Sequence, residues 1–250
     1  MLNALSTATT ALDSFQTSLE TTANNLANAN TTAFKRSVVD FQDLMSSGPA
    51  NQQVGRGVRV ADISTRDFNQ GAEQSTGQDL DLFVTGQGLF TIQQPDGSTK
   101  FTRDGSFQRD ALGRLVTAAG GIVQPPITFP ADTVSTKISS DGVVSVVTAS
   151  APGQIKVLGQ LQLANFPNPA GLQSEANNLF SETPASGTPT TAIPGTNGLG
   201  TIKQKSLEQS NVDLTTEMTS LVTSQRAFDA NSRVVNTANQ MVSSALDIVR

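Results

Sequence analysis

Asp79 and Asp81 are one residue apart, a spacing that puts two carboxylates on one face of a strand. Paired carboxylates can do general acid–base work, but no acid/base partner or metal-ligand set accompanies these two. The chain has no Cys and no His, so triads built on either residue and ordinary zinc sites are out of reach. Gly55-Arg56-Gly57 and Gly86-Gln87-Gly88 do not continue as GxGxxG into a helix, which leaves turn or bulge roles for them. Phe34-Lys35-Arg36 offers a basic contact too short to argue for an anion site. Asp229 and Arg233 stand four apart in the order that supports a helix. These residues predict no catalytic, cofactor-binding or metal-binding site, and the chain reads as a protein that is not an enzyme.

Composition narrows the class further. The net charge of −5 gives no basic surface for nucleic acid. The first basic residue is Lys35, so the start of the chain lacks the charged region of a conventional secretory signal. Neither terminal stretch has the run of apolar residues that a membrane span needs, and no membrane insertion is expected. The missing cysteines do not fix a redox compartment, although they suit passage through oxidising surroundings.

The elements that would position any site divide into three sections. Leu5, Leu12, Leu19 and Leu26 recur every seventh residue near the start, and Leu214, Leu221, Phe228, Val235, Val242 and Val249 do so near the end. A seven-residue apolar repeat keeps one helix seam on a partner helix, the pattern of a coiled coil. The flanks carry few charges and are filled out with Ala, Ser, Thr, Asn and Gln, which suits helices surrounded by protein. The spacing predicts one helix from about Asn3 to Asn30. A second, capped by the Ser210–Asp213 stretch with Glu217 near its positive end, runs to Arg250 and would be roughly 55 Å long. Between them, Leu80–Val84, Leu89–Ile92, Val143–Val147 and Ile155–Leu163 are strand candidates. Asp96-Gly97, Asp104-Gly105 and Asp141-Gly142 are turn signals. From Pro167 to Gly200 the chain is dense in Pro, Gly, Ser and Thr and is expected to form irregular connections over the strands.

The expected fold class is therefore α+β. Long N- and C-terminal helices, residues 1–34 and 210–250, pair as a coiled coil and enclose an inserted mainly-β domain over 61–209, reached through a connecting segment at 35–60. One apolar seam is small against the entropy of ordering so long a helix. Val222, Val234, Met241, Ala245 and Ile248 lie off the seam and suggest further contact faces. We expect the ends to order when subunits pack together; the alternative is a helix pair folded back within one chain. Asn24, Asn25, Asn28 and Asn30 crowd one part of the first helix, Asn24 and Asn28 roughly opposite Leu26. Their amides either fix register against neighbours or belong to a solvated helix end.

Ala23–Lys35 (ANNLANANTTAFK) resembles the N-terminal signature of the axial proteins of the bacterial flagellum, the rod and hook family. Ser210–Leu214 (SNVDL) with Ser224–Asn231 (SQRAFDAN) is similar to its C-terminal counterpart. Gly86–Phe90, Phe101–Phe107, Gly113–Thr117 and Val123–Pro130 match the family's central part. Asn178–Thr183 and Pro194–Gly198 are closest to its rod members, and the resemblance covers almost the whole chain.

That resemblance implies paired terminal helices in an inner coiled-coil layer, a β domain outside it and helical self-assembly into a torque-bearing shaft. The assembly interface it suggests, together with the heptads, comprises Leu5, Leu12, Leu19, Asn24, Asn25, Leu26, Asn28, Phe34, Leu214, Leu221, Phe228, Val235, Val242 and Val249. It further implies other rod proteins, the hook or a hook–rod junction protein, P- and L-ring proteins around the rod and the flagellar export apparatus as partners. Subunits would cross to the periplasm without a cleaved signal peptide. Only ten residues, Met45–Val54, separate Phe41–Leu44 from Gly55–Arg59, where rod members commonly carry a longer insertion associated with stiffness. Thr76–Leu82 has a hook-like cast. A hook-like or proximal rod subunit is the nearest alternative, and an oligomeric β-domain adhesin or binding module is the alternative of another class.

Overall fold

A computed structural model describes residues 2–47, 53–62, 65–151 and 153–248, and side chains outside 2–5, 43–62, 242 and 245–248. Among the described residues two α-helices, near the two ends of the chain, flank a mainly-β portion, so the fold is α+β. The chain divides into two compact units. One comprises Met1–Ala29, Arg36–Asp67 and Val212–Arg250; the other comprises Asn30–Lys35 and Phe68–Asn211.

The first unit holds α1 (Leu2–Ala27), α2 (Leu214–Ile248) and the antiparallel pair β1 (Asp40–Ser47) and β2 (Gln53–Asp62). Asp213 caps α2: its Oδ1 accepts the backbone N–H groups of Thr215 at 2.8 Å and Thr216 at 3.0 Å, satisfying two donors that a helix start leaves open. α1 ends earlier than the spacing predicts. After Ala27 the chain turns over 28–30, and the Asn28 side chain donates to the Asn24 carbonyl at 2.9 Å. The helices run antiparallel, since Ser18 meets Ser224 while Asn25 and Glu217 are held by the adjacent residues Ser37 and Arg36. The stretch 35–60, read from the sequence as a connection, forms most of the β1–β2 pair, whose second strand packs against α1. A register shift between Asp43 and Met45 faces Gly55–Val58, giving the glycine pair a bulge. Residues 48–52 of the short Met45–Val54 segment lie outside those described.

The second unit holds β3 (Glu73–Ser75), β4 (Leu82–Thr85), β5 (Leu89–Gln93), β6 (Thr99–Thr102), β7 (Phe107–Arg109), β8 (Leu115–Thr117) and β9 (Ile122–Gln124). Next come β10 (Thr133–Ile138), β11 (Val143–Thr148), β12 (Ile155–Gln160), β13 (Leu163–Asn165), β14 (Gln173–Ser174), β15 (Leu179–Ser181), β16 (Thr190–Ala192), β17 (Thr201–Gln204) and β18 (Ser206–Glu208). The largest sheet runs β14-β15-β6-β5-β9-β8-β7, with β13 joining β5 and β16 to it. β10-β11-β12, β17-β4 and β18-β3 complete the unit, all antiparallel. Strand alternation distributes the core: Phe90 and Ile92 enter one cluster with Leu115, Val144 and Leu163, while Leu89 enters another with Phe101, Phe166 and Phe180. Phe90–Phe107 and Phe101–Phe166 meet edge-on at 5.0 and 4.8 Å.

Asp96-Gly97 and Asp141-Gly142 close the β5–β6 and β10–β11 hairpins. Asp104-Gly105 instead turns a corner, with the Gly105 carbonyl accepting the Leu82 N–H at 3.1 Å. The Pro- and Gly-rich stretch 167–200 contributes β14, β15 and β16, because its short apolar runs find partners far away in sequence, such as Phe180 opposite Phe101.

Candidate assembly surface

The packed face of α2 is set by steps of four and three residues. Glu217 and Ser224 are buried, and Leu221, Phe228, Asn231, Val235 and Ala238 are half-buried. Leu221, Phe228 and Val235 thus lie on the predicted seam, but alternate seam positions carry Glu, Ser, Asn and Ala. Leu214, the first heptad residue, is 48% exposed. The Val242 side chain and Val249 lie outside the description, as does the Leu5 side chain.

On α1 the deepest side chains are small or polar: Ala8, Ser14, Thr21, Thr22 and Asn25. Leu12, Leu19 and Leu26 are only half-buried, and they lie about 120–180° around the helix from Ser14 and Thr21. Ser14 and Thr21 return their hydroxyls to the carbonyls of Thr10 and Thr17 at 2.8 and 2.9 Å, so their burial strands no donor. Small residues let another backbone approach where leucines would hold it off.

Of the predicted amide group, Asn24 is exposed, Asn28 is half-buried in the turn after α1, and Asn25 is 2% exposed. The Asn25 amide donates to the Ser37 carbonyl and accepts its N–H, both at 2.9 Å. Phe34 is also buried, in the second unit, where its carbonyl accepts the Asn211 N–H at 3.3 Å. Both residues are therefore consumed inside the chain. The basic pair beside Phe34 is consumed too. Arg36 bonds Asp67 at 3.3 Å and Glu217 at 3.5 Å, and Lys35 bonds Glu208 at 2.7 Å.

That last contact belongs to a network the sequence did not reveal. Glu208 accepts Lys35 Nζ at 2.7 Å and Gly71 N–H at 2.8 Å on one oxygen, and Arg103 Nε at 2.6 Å on the other. Arg103 also donates to the carbonyls of Val84 at 2.7 Å, Gly86 at 2.5 Å and Gly88, while Lys35 donates to that of Asn69 at 2.7 Å. Burial pushes the Glu208 carboxyl up, but the charges of Arg103 and Lys35 outweigh it and hold the group below its ordinary value. Glu208 is 105 and 173 residues from its cationic partners, so no spacing could announce it.

Asp79 and Asp81 do not form a reactive pair. Asp79 bonds Lys205 at 3.1 Å, and Asp81 accepts the Thr76 hydroxyl at 2.5 Å. The group whose charge Asp81 affects is Asp104, raised first by burial and further by Asp81. Asp104 is itself bonded to the Ser106 N–H at 3.0 Å and hydroxyl at 2.9 Å. Asp229 and Arg233 make no ion pair among the described residues. Among the described residues no helix is long and apolar enough to cross a membrane.

Large apolar side chains stay open on both units: Leu112, Val134, Ile155 and Val157 in the second, and residues of α2 in the first. Leu214, Met218 and Val222 form an exposed apolar stripe on α2, and Val234 and Met241 form another. A groove of about 440 Å³ is lined by α1, α2 and residues 36–41.

Comparison with known proteins gives this arrangement a family. Residues 5–35 match the flagella basal body rod protein family, 83–146 the flagellar hook protein FlgE/F/G D1 domain, and 203–248 the flagellar basal body rod FlgEFG protein C-terminal family. The chain is 41% identical to the flagellar basal-body rod protein FlgG of Caulobacter vibrioides, over 96% of this chain and 97% of that one. It is 40% identical to the FlgG of Buchnera aphidicola subsp. Baizongia pistaciae (97% and 98% covered) and 37% identical to that of Bacillus subtilis (100% of both). The chain therefore belongs to the flagellar FlgE/F/G family of rod and hook proteins.

Proposed function

We propose that this chain is a structural, non-enzymatic subunit of the flagellar basal-body distal rod, self-assembling into a tubular drive shaft that carries torque from motor to hook. The observation that carries the reading is its similarity to basal-body rod proteins over practically the full length of both chains. In this reading the terminal segments pair as an inner coiled-coil layer, with residues 36–67 against them, and the β-rich unit lies outside. The small, hydroxyl-rich buried face of α1 supports a further element: the pair buries little apolar surface by itself and orders fully only against neighbouring subunits. Partners are other copies, adjoining rod proteins, the hook or hook–rod junction and the surrounding P- and L-rings. The chain reaches the periplasm through the flagellar export apparatus without a cleaved signal peptide.

The short Met45–Val54 segment favours one second reading, a hook-like or proximal rod subunit with lower stiffness. In-frame deletion of the gene, followed by electron microscopy of purified basal bodies, tests both. A truncated rod without hook or filament supports the distal rod, and loss of the hook alone supports the hook-like subunit. Intact flagella with lost surface adhesion would replace both with the binding-module reading.

A further inference from the structure

The groove in the first unit and the exposed stripe Leu214–Met218–Val222 occupy opposite sides of the same short stretch of α2. Ser220 and Ser224 line the groove. At about 100° per residue, Met218 and Val222 point about half a turn away from them. Met218 is 57% exposed and Val222 is 45% exposed. One continuous helix cannot fold its own stripe into its own groove.

The two surfaces match in length, and Phe15, Val38, Val39 and Phe41 give the groove an apolar part. The stripe spans about 12 Å, and the α1 wall of the groove, from Phe15 to Asn25, spans about 15 Å. The Phe15 and Phe41 rings stand 6.0 Å apart, and Phe41 is 46% exposed, which gives the groove an aromatic end suited to a thioether. Several of its hydroxyls are already used: Thr21, Thr219 and Thr223 donate within their own helices at 2.8–2.9 Å, and Ser18 meets Ser224 at 3.2 Å. An apolar occupant therefore leaves those bonds intact.

We propose that the groove's occupant is the Leu214–Met218–Val222 stripe of a second copy of this chain. Because stripe and groove lie on different faces, the contact is heterologous and propagates instead of closing into a two-fold dimer. This rests on the rod reading above and specifies which surfaces meet in it.

The test replaces Met218, and separately Val222, with the photo-cross-linking residue p-benzoylphenylalanine in the full-length chain. Each variant is co-expressed with wild-type chain so that mixed rods form. Basal bodies are purified, irradiated, and the product at twice the 26.1 kDa chain mass is mapped by peptide mass spectrometry. Cross-links from both positions to the groove walls of another copy, residues 15–25, 36–41 or 217–224, are expected. Inter-chain cross-links that map elsewhere, or none from rods shown to contain the variants, overturn the proposal and leave the rod reading standing. Exclusion of both variants from rods that wild-type chain enters, while Met218→Leu and Val222→Ile are admitted, places a tightly filled contact at the stripe and supports it. Absence of the wild-type chain from basal bodies overturns both.

Discussion

Asn25 and Ser37 exchange two hydrogen bonds of 2.9 Å, the helix side chain standing in for a strand partner to the backbone twelve residues ahead. This clamp fixes where the chain returns after α1. Asn25→Ala should lower stability by about 1–3 kcal/mol, because the Ser37 N–H and C=O lose a partly sheltered partner. The urea midpoint should fall with an unchanged slope. Asn25→Asp should restore one bond and part of the loss.

Glu208 gives a pH prediction with a definite sign. Its folded-state carboxyl is held below the ordinary value of about 4.3 by Arg103 and Lys35 against the opposing effect of burial. The stabilisation is therefore complete above that ordinary value and fades as pH falls through the depressed folded value. Glu208→Gln should remove it at all pH values and leave two buried cations underpaired, at a cost of about 3–5 kcal/mol. Thermal midpoints from pH 2 to 7 check both: the wild type should lose stability in the acid limb, and the variant should show less of that loss.

Gly105 has no room for a side chain. A Cβ there would stand 1.8 Å from the Leu82 carbonyl oxygen. Gly105→Ala must break the backbone bond between these residues or shift β4, and we expect a loss above about 2 kcal/mol, read as a lower melting temperature. Gly97→Ala, where nothing lies within 4 Å but φ is +85°, should cost only about 1 kcal/mol.

Leu221→Asp places a charge on the packed face of α2. It should abolish incorporation into basal bodies, and with it swimming, while backbone hydrogen exchange in the β-rich unit stays at the wild-type level. Normal motility would remove the seam from the assembly mechanism.

Amide exchange on the isolated monomer tests when the ends become ordered. Residues 2–27 and 214–248 are expected to exchange many times faster than β5, β6 and β9 in the core of the second unit. Protection of both helices at the level of those strands would show that they fold to completion within one chain.

The sequence disclosed some of this and hid the rest for physical reasons. Periodicity located the packed face of α2 through Leu221, Phe228 and Val235, because apolar residues there follow helix geometry. On α1 it selected Leu12, Leu19 and Leu26, whereas close approach favours Ala8, Ser14 and Thr21. Hydrophobicity ranks side chains by transfer energy and is blind to the value of being small. Asn25 stood out as an amide in a helix, but whether it bonds a neighbour or its own backbone depends on where Ser37 returns. Lys35 read only as part of a short basic contact because its carboxylate partner is 173 residues away. Strand positions near Leu89 and Val143 were legible from alternation; β14 to β16 were too short and too rich in turn residues to announce themselves.

The Glu208 network sits where the chain enters and leaves the second unit. Those crossings fall beside Asn30, Lys35, Phe68 and Asn211. Lys35, Asn69, Gly71 and Glu208 are joined by hydrogen bonds, Ala33 N–H bonds the Glu208 carbonyl at 2.8 Å, and Asn211 Nδ2 bonds the Asn69 carbonyl at 3.1 Å. A pull on any one of these segments is therefore shared with the others at the point of entry. Mechanically they act as cables spliced in parallel at a single anchor, so that no crossing takes the whole load alone.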